Sequence, residues 1–192
     1  MNLYDFDNTI YKGDTNTDII LYSLKYHPIN VIKSLVKARK LKKEYKKGLI
    51  PFERVKESML SFLFQIKNLD SYLDKFVNKH MKNIKQWYLI RKNEKDIVIS
   101  ASYEIWIAKF CKKLKIKNVI ATKTDANGKI INGNCKGKEK IVRFKKMFKN
   151  AKAVVAYSDS KVDIPMLEYA KNAYVVEGNK LFNYKKGYKF KN

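Results

Sequence analysis

The spacing of apolar positions changes twice along the chain. Residues 2–6, NLYDF, open with the short apolar run of a buried strand. From about 15 to 91 the spacing becomes three and four, as on amphipathic helices. The first, TDIILYSLKYH, is apolar at 19, 20, 21 and 24. The second, NVIKSLVKARKLKKEYKKG, runs from a candidate N-cap at Asn30 to a stop at Gly48. Pro51 suits the first turn of a third, which aligns Phe52, Val55, Met59, Phe62, Leu63 and Ile66. The fourth is the most regular, with Tyr72, Leu73, Phe76, Val77, His80, Met81, Ile84, Trp87 and Tyr88 in register. The pattern predicts a small bundle of four helices.

After residue 95 short β-branched runs alternate with helical ones. DIVIS, NVIAT, AVVAYS and AYVVE read as strands, with YEIWIAKFCKKLK, KEKIVRFKKMFKN and DIPMLEYA as the helices between them. KTDANGKIING reads as a hairpin turning at Asn127-Gly128. The tail after Gly178 reads as an irregular or edge segment. Strand–helix alternation predicts an α/β fold with a Rossmann-like parallel sheet, to which the first strand belongs. The expected domains are a core of 1–13 and 92–192 and an inserted four-helix-bundle cap of 14–91.

Composition narrows the picture. The chain has 192 residues, 45% of them hydrophobic, enough for a real core. Cys111 and Cys135 lie in no CxxC or Cys/His cluster, so they read as free thiols in a reducing compartment. No apolar run approaches a membrane span, and no signal peptide precedes the first strand. A soluble, cytoplasmic chain without a membrane partner is expected. The formal net charge is +24, but only four of the 42 cationic residues are arginine: Arg39, Arg54, Arg91 and Arg143. Proteins that read bases lean on arginine. These lysines are spread over the predicted helices, all but DIPMLEYA, rather than gathered in one stripe, so steering of an anionic small molecule is expected, and dedicated nucleic-acid binding is not.

Ligands of open parallel sheets bind at the carboxyl ends of the strands, and four polar groups fall there. Asp5 and Asp7 leave the first strand two residues apart and reach the same space. Crowded carboxylates need a cation, or one of them keeps a proton. Ser100-Ala101-Ser102 follows DIVI at an expected helix start, where a hydroxyl and backbone N–H groups can cradle phosphate. Lysines cluster in NCKGKEK. Asp159 and Asp163 follow AVVAY.

In this order, DFDNT, strand-Ser, Lys and DSKVD, the set resembles the haloacid dehalogenase (HAD) superfamily of phosphohydrolases over essentially the whole chain. The helical insert resembles the cap of its phosphoserine phosphatase-like branch (subfamily I, C1 cap). The resemblance implies hydrolysis of a phosphomonoester, with Asp5 as nucleophile and Asp7 as general acid and base. It implies Mg²⁺ held by Asp5, the Asp7 carbonyl and Asp159, with Thr9 and Asp163 supporting the site. Phosphotransfer or mutase chemistry on the same aspartyl-phosphate is the enzymatic alternative, and a basic nucleic-acid-binding module the other.

The catalytic lysine is Lys140 or Lys136. Lys140 is favoured, because apolar Phe144 and Met147 fall four and seven residues after it, where Lys136 would have Lys140 and Arg143. Ser100, Ala101 and Ser102 are expected to bind substrate. Asp14 and Asp18, at the entry to the insert, are ordinary helix-start acids that could also face it. They would favour an amino-alcohol phosphate, such as phosphoserine or phosphoethanolamine, over a sugar or polyol phosphate. His80 reads as a packing residue, and His27 as a cap.

Overall fold

The structure is a computed structural model that describes residues 1–149 and 151–190. Its centre is a seven-stranded sheet in the order β4-β3-β2-β1-β5-β6-β7. The strands are β1 (Asn2–Tyr4), β2 (Ile97–Tyr103), β3 (Asn118–Thr124), β4 (Ile130–Ile131), β5 (Val155–Ser158), β6 (Asn172–Glu177) and β7 (Lys180–Asn183). The five inner strands are parallel, while β4 and β7 are antiparallel edges. The first strand is therefore central, with β2 and β3 on one side and β5 and β6 on the other. Asp5 leaves it where the strand order reverses, the place at which such sheets hold ligands.

Between β1 and β2 the chain forms α1 (Thr15–Tyr26), α2 (Pro28–Lys46), α3 (Phe52–Leu60), α4 (Leu69–His80) and α5 (Gln86–Arg91). The remaining helices are α6 (Glu104–Lys113), α7 (Lys138–Met147) and α8 (Ile164–Tyr169). Asn150, the end of the helix expected from KEKIVRFKKMFKN, lies outside the described residues, as do 191 and 192 at the end of the tail. Alternation along the strands sends Leu3, Ile97, Ile99, Ile120 and Ala156 to a core with α7 and α8. It sends Tyr4, Val98, Ala121 and Tyr157 to a larger core with Ile19, Phe76, Trp87, Tyr88, Trp106 and Phe110. That second core runs without a break from the sheet into the inserted helices. Cys111 and Cys135 are buried and unbridged. Among the described residues no helix is long and apolar enough to cross a membrane.

Several expected boundaries moved. The second helix starts at Pro28, whose ring fits the first turn, with Asn30 already inside it. His27 caps both α1 and α2. The fourth expected helix is broken: α4 stops at His80, a 3₁₀ turn spans Met81–Asn83, and α5 begins at Gln86. The break lets Ile84 form an isolated bridge with Tyr11, and the Lys85 N–H donate to the Ile10 carbonyl at 2.8 Å. Ser100-Ala101-Ser102 does not start a helix. It lies inside β2, which shifts register between Ile99 and Tyr103, and α6 begins only at Glu104. The tail forms an edge strand, β7, hydrogen-bonded to β6.

Candidate active site

The strand ends and the inserted helices enclose a cleft of about 340 Å³, lined among others by Asp5, Asp7, Asp14, Lys56, Lys140 and Asp159. Asp5 is fixed by its own N–H, which donates to the Tyr157 carbonyl at 3.0 Å. The residue is 7% exposed, and its carboxylate takes the Lys140 ammonium on Oδ1 at 2.5 Å. Burial pushes the Asp5 pKa well above the usual carboxylate range; Lys140 pulls it back, and Asp163 and Asp159 add to the rise.

Lys140 stands in the first turn of α7. It reaches Asp163 Oδ2 at 2.6 Å as well as Asp5. Burial works against its charge, but Asp163 and Asp5 outweigh it and hold the ammonium well above the ordinary lysine range. Ser158 Oγ donates to the same Asp163 oxygen at 2.8 Å. Lys136 is exposed. It lines the rim, and its ammonium sits 5.8 Å from the centre of the Phe52 ring.

Asp7 is held differently. The Thr15 N–H donates to its Oδ1 at 2.7 Å and Ser102 Oγ to its Oδ2 at 2.5 Å. Burial first, then the charge of Asp14, pushes its pKa up to about 6 against these two donors. Two acids two residues apart thus have different surroundings: one is locked to a lysine, and the other can exchange a proton near neutrality. Ser102 Oγ also accepts from Asn16 Nδ2 at 2.7 Å, and the Ser102 N–H donates to Ser100 Oγ at 3.0 Å.

Thr9 Oγ lies 3.2 Å from both Asp5 Oδ2 and Asp159 Oδ1, and it accepts the Asp159 N–H at 3.0 Å. One hydroxyl proton serves only one carboxylate at a time, so two acids face each other across a shortage of positive charge. Burial also raises Asp159 above the usual range, with Asp163 adding to the rise. Two carboxylates of this kind suit Mg²⁺, which takes one or two carboxylates and fills its other positions with water and phosphate oxygens. Among the described residues no three His, Cys, Asp or Glu side chains form a closed metal cage.

Asp14 lines the cleft while its Oδ1 caps α1 by accepting the Thr17 N–H at 2.8 Å. Asp18 is absent from the lining; its Oδ2 accepts the Tyr11 hydroxyl at 2.5 Å. His80 packs on Phe76 and Tyr22, with Nδ1 2.8 Å from the Phe76 carbonyl oxygen.

Sequence reasoning passed over three residues. Asn16 lines the cleft, and its Oδ1 is buried with no hydrogen-bond partner among the described residues. Lys85 is buried and donates to the Asn8 carbonyl and, at 2.6 Å, to the Gly178 carbonyl. Lys56 is 4% exposed; it crosses from α3 to donate to the Ala101 carbonyl at 2.5 Å and Asn134 Oδ1 at 3.0 Å, with its ammonium over the Tyr103 ring. The signal for Lys56 was in the sequence: it lies four residues after Phe52 and three before Met59, on the inward stripe of its helix.

A family model described as haloacid dehalogenase-like hydrolase matches residues 3–168. No curated protein matches the sequence. Among solved structures, a protein of unknown function from Bordetella pertussis Tohama I is 18% identical, with a TM-score of 0.71 over 90% of this chain and 87% of that one. A phosphoserine phosphohydrolase-like protein from Francisella tularensis subsp. tularensis SCHU S4 is 20% identical, with a TM-score of 0.55 over 90% and 84%. A probable phosphoserine phosphatase from Vibrio cholerae is 11% identical, with a TM-score of 0.58 over 90% of this chain and 55% of that one. These likenesses are of fold.

Proposed function

The chain belongs to the haloacid dehalogenase-like hydrolase family, and from that premise we propose that it hydrolyses a small phosphomonoester through an aspartyl-phosphate. The observation that carries the reading is the contrast between Asp5, bound to Lys140, and Asp7, whose pKa is pushed up to about 6. In the first step an Asp5 oxygen attacks phosphorus, the bond to the leaving oxygen breaks, and Asp7 gives that oxygen its proton. In the second, water attacks phosphorus, Asp7 takes a proton from it, and the bond to Asp5 breaks to release phosphate. Lys140 offsets negative charge while one anion approaches another. Asp163 and Ser158 hold the lysine on target. Mg²⁺, when bound by Asp5, the Asp7 carbonyl and Asp159, would supply further positive charge at the phosphate. Ala101 and Ser102 would line the phosphate side; Ser100, expected there too, is buried outside the cleft lining and holds the Ser102 N–H instead.

In this reading residues 14–91 form a cap over the core of 1–13 and 92–192, and the cap selects the leaving group. A cleft of about 340 Å³ suits a small molecule. The Asp14 carboxylate lines the cleft and is an acceptor for an ammonium or a hydroxyl. It favours an amino-alcohol phosphate, with a polyol phosphate second. Asp18, engaged by Tyr11, takes no part in that preference. The test is phosphate release from a panel of phosphomonoesters, with Mg²⁺ or with EDTA. Turnover is expected only with metal, and Asp5→Asn should lose it by several orders of magnitude while keeping its circular dichroism. Wild-type turnover in Asp5→Asn would overturn the mechanism.

A further inference from the structure

Among the described residues, helix α2 has one face with no protein against it. Its inward side is Val31, Ser34 and Ala38, seated on the chain near Ser61, where the Ser34 and Ser61 hydroxyls meet at 2.9 Å. On the opposite side Ile29, Ile32 and Val36 are 66%, 53% and 52% exposed. Spacings of three and four put them on one face. Isolated exposed aliphatics are ordinary, but three in register on the solvent side of a helix are an unpartnered patch.

The charge along the same helix is almost all of one sign. Between Pro28 and Lys46 the helix carries seven cations, Lys33, Lys37, Arg39, Lys40, Lys42, Lys43 and Lys46, against Glu44 alone. All seven are exposed, and among the described residues none is ion-paired. A second copy of the chain is a poor occupant, because pairing this face with itself would bring cations against cations. A nucleic-acid backbone would satisfy the lysines and leave the aliphatic centre unused. A surface that is anionic at its rim and apolar below it satisfies both.

We propose that this face of α2 docks on an anionic lipid membrane. Ile29, Ile32 and Val36 enter the acyl boundary, and the lysine stems reach out to headgroup phosphates. Such a helix lies on the membrane and does not cross it, so the proposal departs from the expectation of a chain without a membrane partner. The proposal is independent of the chemistry at Asp5.

The test is co-sedimentation with phosphatidylcholine vesicles, with and without phosphatidylglycerol, at low and high salt. Wild type is expected to bind only the mixed vesicles and to keep part of that binding at high salt. Ile29→Ser/Ile32→Ser/Val36→Ser should partition about tenfold or more weakly, with hydrolysis of a soluble phosphomonoester and circular dichroism unchanged. Should the triple variant misfold, Ile32→Trp serves: its added exposed indole should shift to the blue on mixed vesicles and not on neutral ones. Three outcomes overturn the proposal: no binding to mixed vesicles, equal binding by wild type and the triple variant, or a concentration-dependent dimer that the triple variant abolishes.

Discussion

Asp5 and Lys140 are far apart in sequence, yet a single contact of 2.5 Å joins them. Helix phase favoured Lys140 over Lys136, and the reason was half right. Phe144, four residues on, is buried, but Met147, seven on, is 56% exposed because α7 ends there. Lys140→Ala is expected to cost about 10²–10³-fold in kcat, and Lys136→Ala little, measured with one soluble phosphomonoester. The reverse order would mean that the ammonium serving Asp5 is another. Lys56 was not read from the sequence because a lysine on an inward stripe looks like a solvated residue until its neutral partners are seen. Burial pushes its pKa down to about 8, against Asp7, Asp14, Cys135 and Glu53, which favour the charge. The group is therefore an ammonium below about 8 and neutral above it. If it steadies substrate as well as the Ala101 carbonyl, kcat/KM should fall as pH rises through that value. Lys56→Met should be lower at neutral pH and lack that limb. An unchanged limb in the variant would assign it to a different group.

At the scale of elements, strands and helices were legible wherever period and length agreed, and boundaries failed where tertiary contacts overrode local pattern. The fourth helix lost its continuity to the Ile84–Tyr11 bridge and the Lys85 contacts, which no apolar spacing encodes. Ser100 to Ser102 remained strand because β2 carries a register shift that sequence does not announce. The hairpin was read from Asn127-Gly128, and there the turn has a second role. Gly128 has φ +82°, and a Cβ there would stand 2.3 Å from the Phe64 ring in the 3₁₀ turn Ser61–Gln65. The hairpin tip thus packs directly against the inserted segment. Gly128→Ala should destabilise by about 2 kcal/mol or more, from strain at positive φ and from overpacking. Thermal melts would register this as a lowered Tm. Phe64→Ala in the same background should recover part of the loss if the ring is the obstacle, and none if strain alone is.

For the whole molecule, the question is how firmly the inserted helices are joined to the sheet. The alternation of spacing along the chain suggests two bodies, and sequence alone cannot show whether they share a core, since shared burial is a property of the packed pair. Here Phe76 of α4 meets Phe110 of α6 edge-on at 6.1 Å, within a buried cluster that continues to Tyr4 and Val98 of the sheet. Lys109 of α6 ties Asp70 and Asp74 of α4 at 2.7 and 2.9 Å, though such exposed pairs add little to stability. On the other side α3 itself meets the sheet through polar contacts, Glu57 accepting the Ile130 N–H at 2.8 Å and Lys56 reaching Ala101, and only the turn after it adds an apolar contact, Phe64 against Gly128 and Tyr103. Polar contacts exchange readily with water, whereas separating the aromatic side would expose a buried core at a cost of about 25 cal/mol per Å². Opening for substrate is therefore expected at α3, with α4 remaining on α6. Two measurements follow. Urea unfolding should show one transition, coincident by far-UV circular dichroism and by the fluorescence of Trp87 and Trp106, and a fragment of residues 14–91 should not fold alone. Two separated transitions, or a folded fragment, would mean that the insert is a self-sufficient unit and that the aromatic side can open as well.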